Sequence, residues 1–128
     1  MKFLGIDYGA KWVGIATSND GQFAFPKMTV PNDGNLETLI EKLIRDEHIE
    51  QVVIGDARTF GGGANTVTSA VEDFIARMKS HSVVPIETVF EAWSSQEAAR
   101  YAPNGRKHDD ASAAAIILQR FLDFHRTQ

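Results

Sequence analysis

A short apolar run that ends in a carboxylate constrains this chain more than any other feature. Residues 2–7, KFLGID, read as a β-strand with Leu4 and Ile6 on one face and Phe3, Gly5 and Asp7 on the other. An acid at the end of such a strand is costly to place unless something positive meets it. The Gly9-Ala10-Lys11 connection that follows is tight, and a glycine turn beside an acid leaves room for a phosphate or a metal. Residues 12–18 read as the hairpin partner. Gly14 sits in the middle of it, where a missing side chain marks the close approach of a backbone or a ligand.

The remaining pattern supplies the layers around that hairpin. Ser18-Asn19-Asp20-Gly21 is a turn signal, and residues 22–30 read as a third strand. Pro26 cannot donate to a ladder, which places this strand at the sheet edge. After the break at Pro31-Asn32-Asp33-Gly34-Asn35, the spacing of Leu36, Leu39, Ile40, Leu43 and Ile44 predicts an amphipathic helix to about His48. Gln51 to Gly55 is an apolar strand without alternation, as expected for a central strand covered on both faces. A glycine-rich loop, Asp56 to Asn65, leads to a helix marked by Val67, Val71, Phe74, Ile75 and Met78. Ser82 to Phe90 is the next strand, followed directly by Glu91. Ser94-Ser95-Gln96-Glu97 is a capping box for a short helix to about Tyr101, and Pro103-Asn104-Gly105 is a loop. The last helix starts near Asp109 and carries Ala113, Ala114, Ile117, Leu118, Phe121 and Leu122 on one face. This order predicts a single α/β domain over residues 1–128. Its sheet is mixed and five-stranded, an antiparallel β1-β2-β3 meander followed by parallel strands, with helices packed on it.

Composition narrows the function classes. With 43% hydrophobic and 23% charged residues the chain is an ordinary globular domain. It has no cysteine, which removes disulfides and cysteine-based zinc sites and fits a reducing cytoplasm. The longest apolar run, Ala113 to Leu118, is far short of the about 20 residues that span a bilayer, and no secretory h-region follows Met1-Lys2. A net charge of −4 does not announce a nucleic-acid partner, so phosphate binding has to come from local basic residues.

Three carboxylates are placed to meet. Asp7 ends the first strand, Glu91 follows the fifth, and Asp110 lies in the first turn of the last helix, in one row with Ala113, Ala114, Ile117 and Phe121. The small Ala113 and Ala114 let that helix sit close to the sheet. Acids converging from two strands and a helix repel one another unless cations neutralise them. Oxygen-only ligands without cysteines or paired histidines favour Mg²⁺ or Mn²⁺. Two such ions about 4 Å apart activate a water and stabilise the leaving oxygen in phosphodiester cleavage. Taken singly, Asp110 also reads as a partner of the helix dipole and Glu91 as a solvated loop acid.

The same residues carry a resemblance over nearly the whole chain. Asp7-Tyr8-Gly9, Lys11-Trp12-Val13-Gly14 and Ala16-Thr17-Ser18 resemble the opening of the YqgF/RuvX family. Val53-Ile54-Gly55, Gly61-Gly62-Gly63 and Val71-Glu72-Asp73-Phe74 are similar to its middle segment. Phe90-Glu91-Ala92-Trp93-Ser94-Ser95-Gln96-Glu97-Ala98 is similar to its Asp-Glu-Arg-x-Thr-Thr-x-x-Ala motif, and the stretch Asp110 to Gln119 to its Asp-x-x-Ala-Ala-x-x-Ile-Leu-Gln ending. Members are RNase H-like nucleases, called Holliday junction resolvases or pre-16S rRNA nucleases. The resemblance implies an RNase H-like fold with helices on both faces and an endonuclease acting on structured RNA (pre-16S rRNA in ribosome biogenesis) or branched DNA. It implies Mg²⁺ or Mn²⁺ held by Asp7, Glu91 and Asp110. It also implies a cytoplasmic protein that is a monomer or weak homodimer.

Two departures from the family pattern stand at the site. Trp12 replaces the usual arginine after Lys11, and Phe90-Glu91-Ala92 replaces Asp-Glu-Arg. Lys11, Arg58, Arg100, Arg106 and Lys107 are the candidates for nucleic-acid contacts. RuvC-type resolvases carry two acids one turn apart on the last helix, whereas this chain has Ala113 one turn after Asp110; rRNA processing is thereby favoured over junction resolution.

Other features have plainer readings beside the functional one. The loop Thr59 to Asn65 ends at a helix start, where free N–H groups hold phosphate, but such loops are more often simply connections. It lacks a P-loop pattern. Trp12 and Trp93 suit base stacking or half-buried packing among their apolar neighbours, with packing the simpler expectation. His108 lies close to Asp110 and suits a proton shuttle, or no role at all. Two other functions compete. A single actin-like or sugar-kinase-like ATP-binding half shares the Asp-x-Gly hairpin, but needs a second domain to close on nucleotide. A catalytically silent nucleic-acid-binding module would fit the replaced basic residues.

Overall fold

The first eighteen residues alternate as a hairpin should, and the computed structural model forms one there. It describes residues 1–9, 11–56, 66–90 and 110–126. The strands are β1 (Phe3–Asp7), β2 (Trp12–Ser18), β3 (Phe25–Pro31), β4 (Gln51–Asp56) and β5 (Ile86–Phe90). The helices are α1 (Leu36–Asp46), α2 (Thr66–His81) and α3 (Asp110–Arg126). They form one five-stranded sheet in the order β3-β2-β1-β4-β5. The β1–β2 and β2–β3 pairs are antiparallel, and the β1–β4 and β4–β5 pairs are parallel. This is the mixed sheet expected from the sequence, with β3 at its edge.

Alternation along the central strands sorts side chains into two cores. Leu4, Ile6, Val13, Ile15, Val52 and Ile54 face one way and pack with Leu36, Ile40, Leu43 and Ile44 of α1 and Val71, Phe74, Ile75 and Met78 of α2. Phe3, Ala16 and Val53 face the other way, under Ala114, Ala115, Ile117, Leu118, Phe121 and Leu122 of α3. Each fully buried aliphatic side chain contributes about 1.5–3 kcal/mol, so the continuous apolar run of β4 is what secures the sheet centre between both layers.

Several boundaries differ from the sequence reading. The third strand begins at Phe25, not residue 22. The Asp20 carboxylate accepts the N–H groups of Gln22 and Phe23, and the Ala24 N–H goes to Gln119 Oε1, so those amides are unavailable to β2. The first helix ends at Asp46, and His48 turns the chain with φ 57°. The fifth strand starts at Ile86, not Ser82, because Ser82 folds back on itself through its hydroxyl and the Val84 N–H and C=O, which leaves Val83 90% exposed. On α3 the buried face is centred nearer Leu118 than expected: Ala111 and Ala115 are buried while Ala113 is only partly so. The predicted glycine loop at Gly61-Gly62-Gly63, the short helix over residues 94–101, the loop 103–105 and Asp109 lie outside the described residues. Among the described residues, no helix is long and apolar enough to cross a membrane.

Candidate active site

Asp7 closes the central strand in one rung of the sheet. Its register partners are Gly14 on β2 and Gly55 on β4, and the rung continues to Thr29 on β3 and Val89 on β5. Directly paired residues project to the same face, and here both neighbours are glycines. On the α3 face, the partly buried Asp7 therefore has no side chain beside it on either adjacent strand. From the opposite face the next residue, Tyr8, is fixed by its ring lying 4.8 Å from that of Phe74. The end of β1 is thus held on one face by Tyr8 and flanked on the other by two glycines.

The loop after Asp7 is clamped by Asn32, the residue after β3. Asn32 Nδ2 donates to the Gly9 carbonyl at 2.8 Å, and the Asn32 N–H donates to the Lys11 carbonyl at 2.9 Å. One residue thereby grips the loop on both sides of position 10. Gly9 is obligatory in this turn, since a Cβ there would stand 2.4 Å from the Trp12 carbonyl oxygen. Lys11 follows the clamp and is exposed. Trp12 is 52% exposed, more than packing among apolar neighbours predicts. The reason lies in the register. The β1–β2 ladder ends at the Asp7–Gly14 pair, so Trp12 extends past β1, paired with Pro31 of β3.

The last helix is brought down onto this end of the sheet at two points. Leu118 and the Ala114 carbonyl lie over Gly5, two residues before Asp7, so close that a Cβ at Gly5 would stand 2.8 Å from Leu118 Cβ. At the helix start, the Ala111 N–H donates to Thr29 Oγ1 at 3.2 Å. Asp110 is the first residue of α3, so its backbone is held beside the rung of Asp7; its side chain lies outside those described.

Of the residues singled out from sequence, the structure describes Asp7 and Lys11 fully and Asp110 in its backbone. Glu91, Arg58, Arg100, Arg106, Lys107, His108 and Trp93 lie outside the described residues. Sequence reasoning did not find Thr29 or Asn32. A short polar residue at the end of an edge strand is the only local signal either gives. Two carboxyls with displaced pKa values among the described residues, Asp20 and Glu47, belong elsewhere. The Gln22 and Phe23 N–H groups hold Asp20 low, and the Lys27 ammonium at 2.8 Å holds Glu47 low.

The place at Asp7 suits a hard cation. A carboxylate is the donor such an ion takes, and the residues paired with Asp7 on both neighbouring strands are glycines. Among the described residues no three metal-binding side chains cluster, and Asp7 is the one member of the acidic trio whose side chain they include.

Comparison with known proteins agrees with the fold. The family model RuvX, described as Holliday junction resolvase, matches residues 1–124. A protein of Lawsonia intracellularis named "Putative pre-16S rRNA nuclease" is 37% identical over 133 aligned positions, covering 96% of this chain and 94% of the relative. One of the same name from Chlorobaculum tepidum is 33% identical, covering 97% and 94%. Among solved structures, Thermus thermophilus RuvC in complex with Holliday junction substrate superposes with a TM-score of 0.64 at 17% identity, covering 98% of this chain and 96% of that one. Fowlpox virus resolvase superposes with a TM-score of 0.60 at 13% identity, covering 98% and 99%. These likenesses show an RNase H-like fold.

Proposed function

The chain belongs to the RuvX family, described as Holliday junction resolvases, and from that membership we propose that it is a metal-dependent endonuclease whose task is 5′-end processing of pre-16S rRNA. The observation that carries this reading is the rung Gly55–Asp7–Gly14, with the start of α3 fastened two strands away at Thr29. It supports Asp7 and Asp110 as the pair that holds Mg²⁺ or Mn²⁺, with Glu91 completing the set from the residue after β5. One domain spanning residues 1–128 carries the whole site.

When bound, the metal pair supplies a nucleophilic water at neutral pH and Lewis-acid stabilisation of the leaving oxygen. The chain's own residues do the rest. The backbone of Asp7 is held by the ladder on both sides and by Tyr8 on Phe74, so its carboxylate projects from a fixed strand end. Gly14 and Gly55 leave space for a backbone phosphate to approach the strand end. Lys11, held in place by Asn32, offers the phosphate a charge from the neighbouring loop, and the exposed Trp12 offers a base a stacking face where relatives of the family carry an arginine. Arg58, Arg100, Arg106 and Lys107 complete the nucleic-acid contacts.

The curated relatives' name favours the ribosomal substrate, and so does the alanine at position 113 where RuvC-type resolvases carry a second acid. Junction cleavage is the second reading, favoured by the family's own description. Incubation of the purified chain with a pre-16S rRNA 5′ fragment and with a four-way DNA junction, each with Mn²⁺ or Mg²⁺, decides between them. Cleavage of the RNA but not the junction is the expected result. Cleavage of neither with any divalent ion overturns the nuclease reading.

A further inference from the structure

We propose that Thr29 is a positioning residue for the metal site: its hydroxyl sets where the first turn of α3, and with it Asp110, stands relative to Asp7. This rests on the reading of Asp7 and Asp110 as the metal-holding pair. The first N–H groups of a helix lack partners within the helix, and a side-chain oxygen from the residue just before it usually takes one of them. Here the Ala111 N–H, second in α3, is taken by Thr29 Oγ1 from a strand 82 residues away in sequence. The helix start is therefore fastened to the sheet.

Thr29 is also the right residue to transmit a position. It shares the rung of Asp7, two strand spacings or about 10 Å away. The residue between them is Gly14, which has no side chain to interpose. Other tethers hold α3 farther along. Ala114 and Leu118 over Gly5 fix the height of the helix middle. Gln119 accepts the Ala24 N–H and donates to the Gln22 carbonyl, both at 2.8 Å, which fixes the helix just past Leu118. In the first turn, the Thr29 hydroxyl ties a helix N–H to the sheet.

The test compares the full chain with Thr29→Val, Thr29→Ser and Asp7→Asn. Valine keeps the β-branched shape and removes the hydroxyl, whereas serine keeps the hydroxyl. Three readouts apply: Mn²⁺ affinity by titration calorimetry, amide exchange at Ala111 without metal, and kcat and KM for cleavage. Thr29→Val is expected to weaken Mn²⁺ binding roughly five- to tenfold, the scale of one lost net hydrogen bond. It should speed exchange at Ala111, and lower kcat with little change in KM. Thr29→Ser is expected to restore all three to within about twofold of wild type, since it retains the acceptor oxygen. Wild-type Mn²⁺ affinity in Thr29→Val, together with loss of binding in Asp7→Asn, overturns the positioning role alone. Equal damage in the valine and serine variants overturns it too, because the hydroxyl would not be the agent. Undiminished Mn²⁺ binding in Asp7→Asn overturns the metal-site reading and this inference with it.

Discussion

Leu118 sits directly on Gly5: a Cβ at Gly5 would stand 2.8 Å from Leu118 Cβ and 3.1 Å from the Ala114 carbonyl oxygen. Helix α3 can descend to the sheet only because β1 offers no side chain at that point. The same descent brings the start of α3 to the end of the sheet where β1 finishes in Asp7.

Gly5→Ala is therefore expected to act on stability and site together. The contact is with a backbone carbonyl and a Cβ, neither of which can swing aside, so the helix must shift. Overpacking of this kind costs about 1–3 kcal/mol. Denaturant unfolding should show a loss in that range, and cleavage should fall in the fraction that remains folded. Unchanged stability would mean that α3 does not approach β1 as closely as described.

Asn32 should matter to substrate binding more than its surface loop suggests. Asn32→Ala removes the 2.8 Å bond to the Gly9 carbonyl and is expected to cost about 0.5–1.5 kcal/mol of stability. Asn32→Asp keeps the shape but puts an oxygen against that carbonyl, so it should do more harm. Because the clamped loop carries Lys11, KM for nucleic acid should rise in both variants, and the salt dependence of binding should weaken. Steady-state cleavage over a range of salt concentrations checks this.

Acid sensitivity should include the turn before β3. Hydrogen bonds from Gln22 and Phe23 hold the Asp20 pKa below its ordinary value of 3.8. Its charged form is thus favoured by folding. The contribution is complete above that ordinary value and is lost as pH falls through the lower, folded one. Wild type should accordingly exceed Asp20→Ala in thermal midpoint near neutral pH, and the difference should shrink below pH 3.8. A difference that grew on acidification would contradict the assignment.

What could be read from the sequence was set by periodic burial. The hairpin from Phe3 to Ser18, the buried run of β4 and the apolar faces of α1 and α3 follow from side-chain alternation and helical spacing, which depend on local geometry alone. The starts of β3 and β5 did not. Phe23 and Val84 look like strand residues, yet the amides around them are taken by Asp20, Gln119 and Ser82. Asp7 was legible because an acid closing an apolar strand is anomalous by itself. Thr29 and Asn32 were not, because each acts through a bond to a distant stretch of chain that no local pattern encodes. Trp12 was misjudged for the same kind of reason. Its exposure follows from where the β1 ladder ends, not from its apolar neighbours in sequence.

Cleavage of a pre-16S rRNA 5′ fragment by wild type and by Asp7→Asn, each with Mn²⁺ and with a chelator, tests the metal site most directly. Wild type should cut only with the ion, and Asp7→Asn should lose cutting while keeping the wild-type far-ultraviolet circular dichroism spectrum. Cutting by Asp7→Asn at the wild-type rate, or by wild type in the presence of the chelator, would contradict a metal-dependent nuclease centred on Asp7.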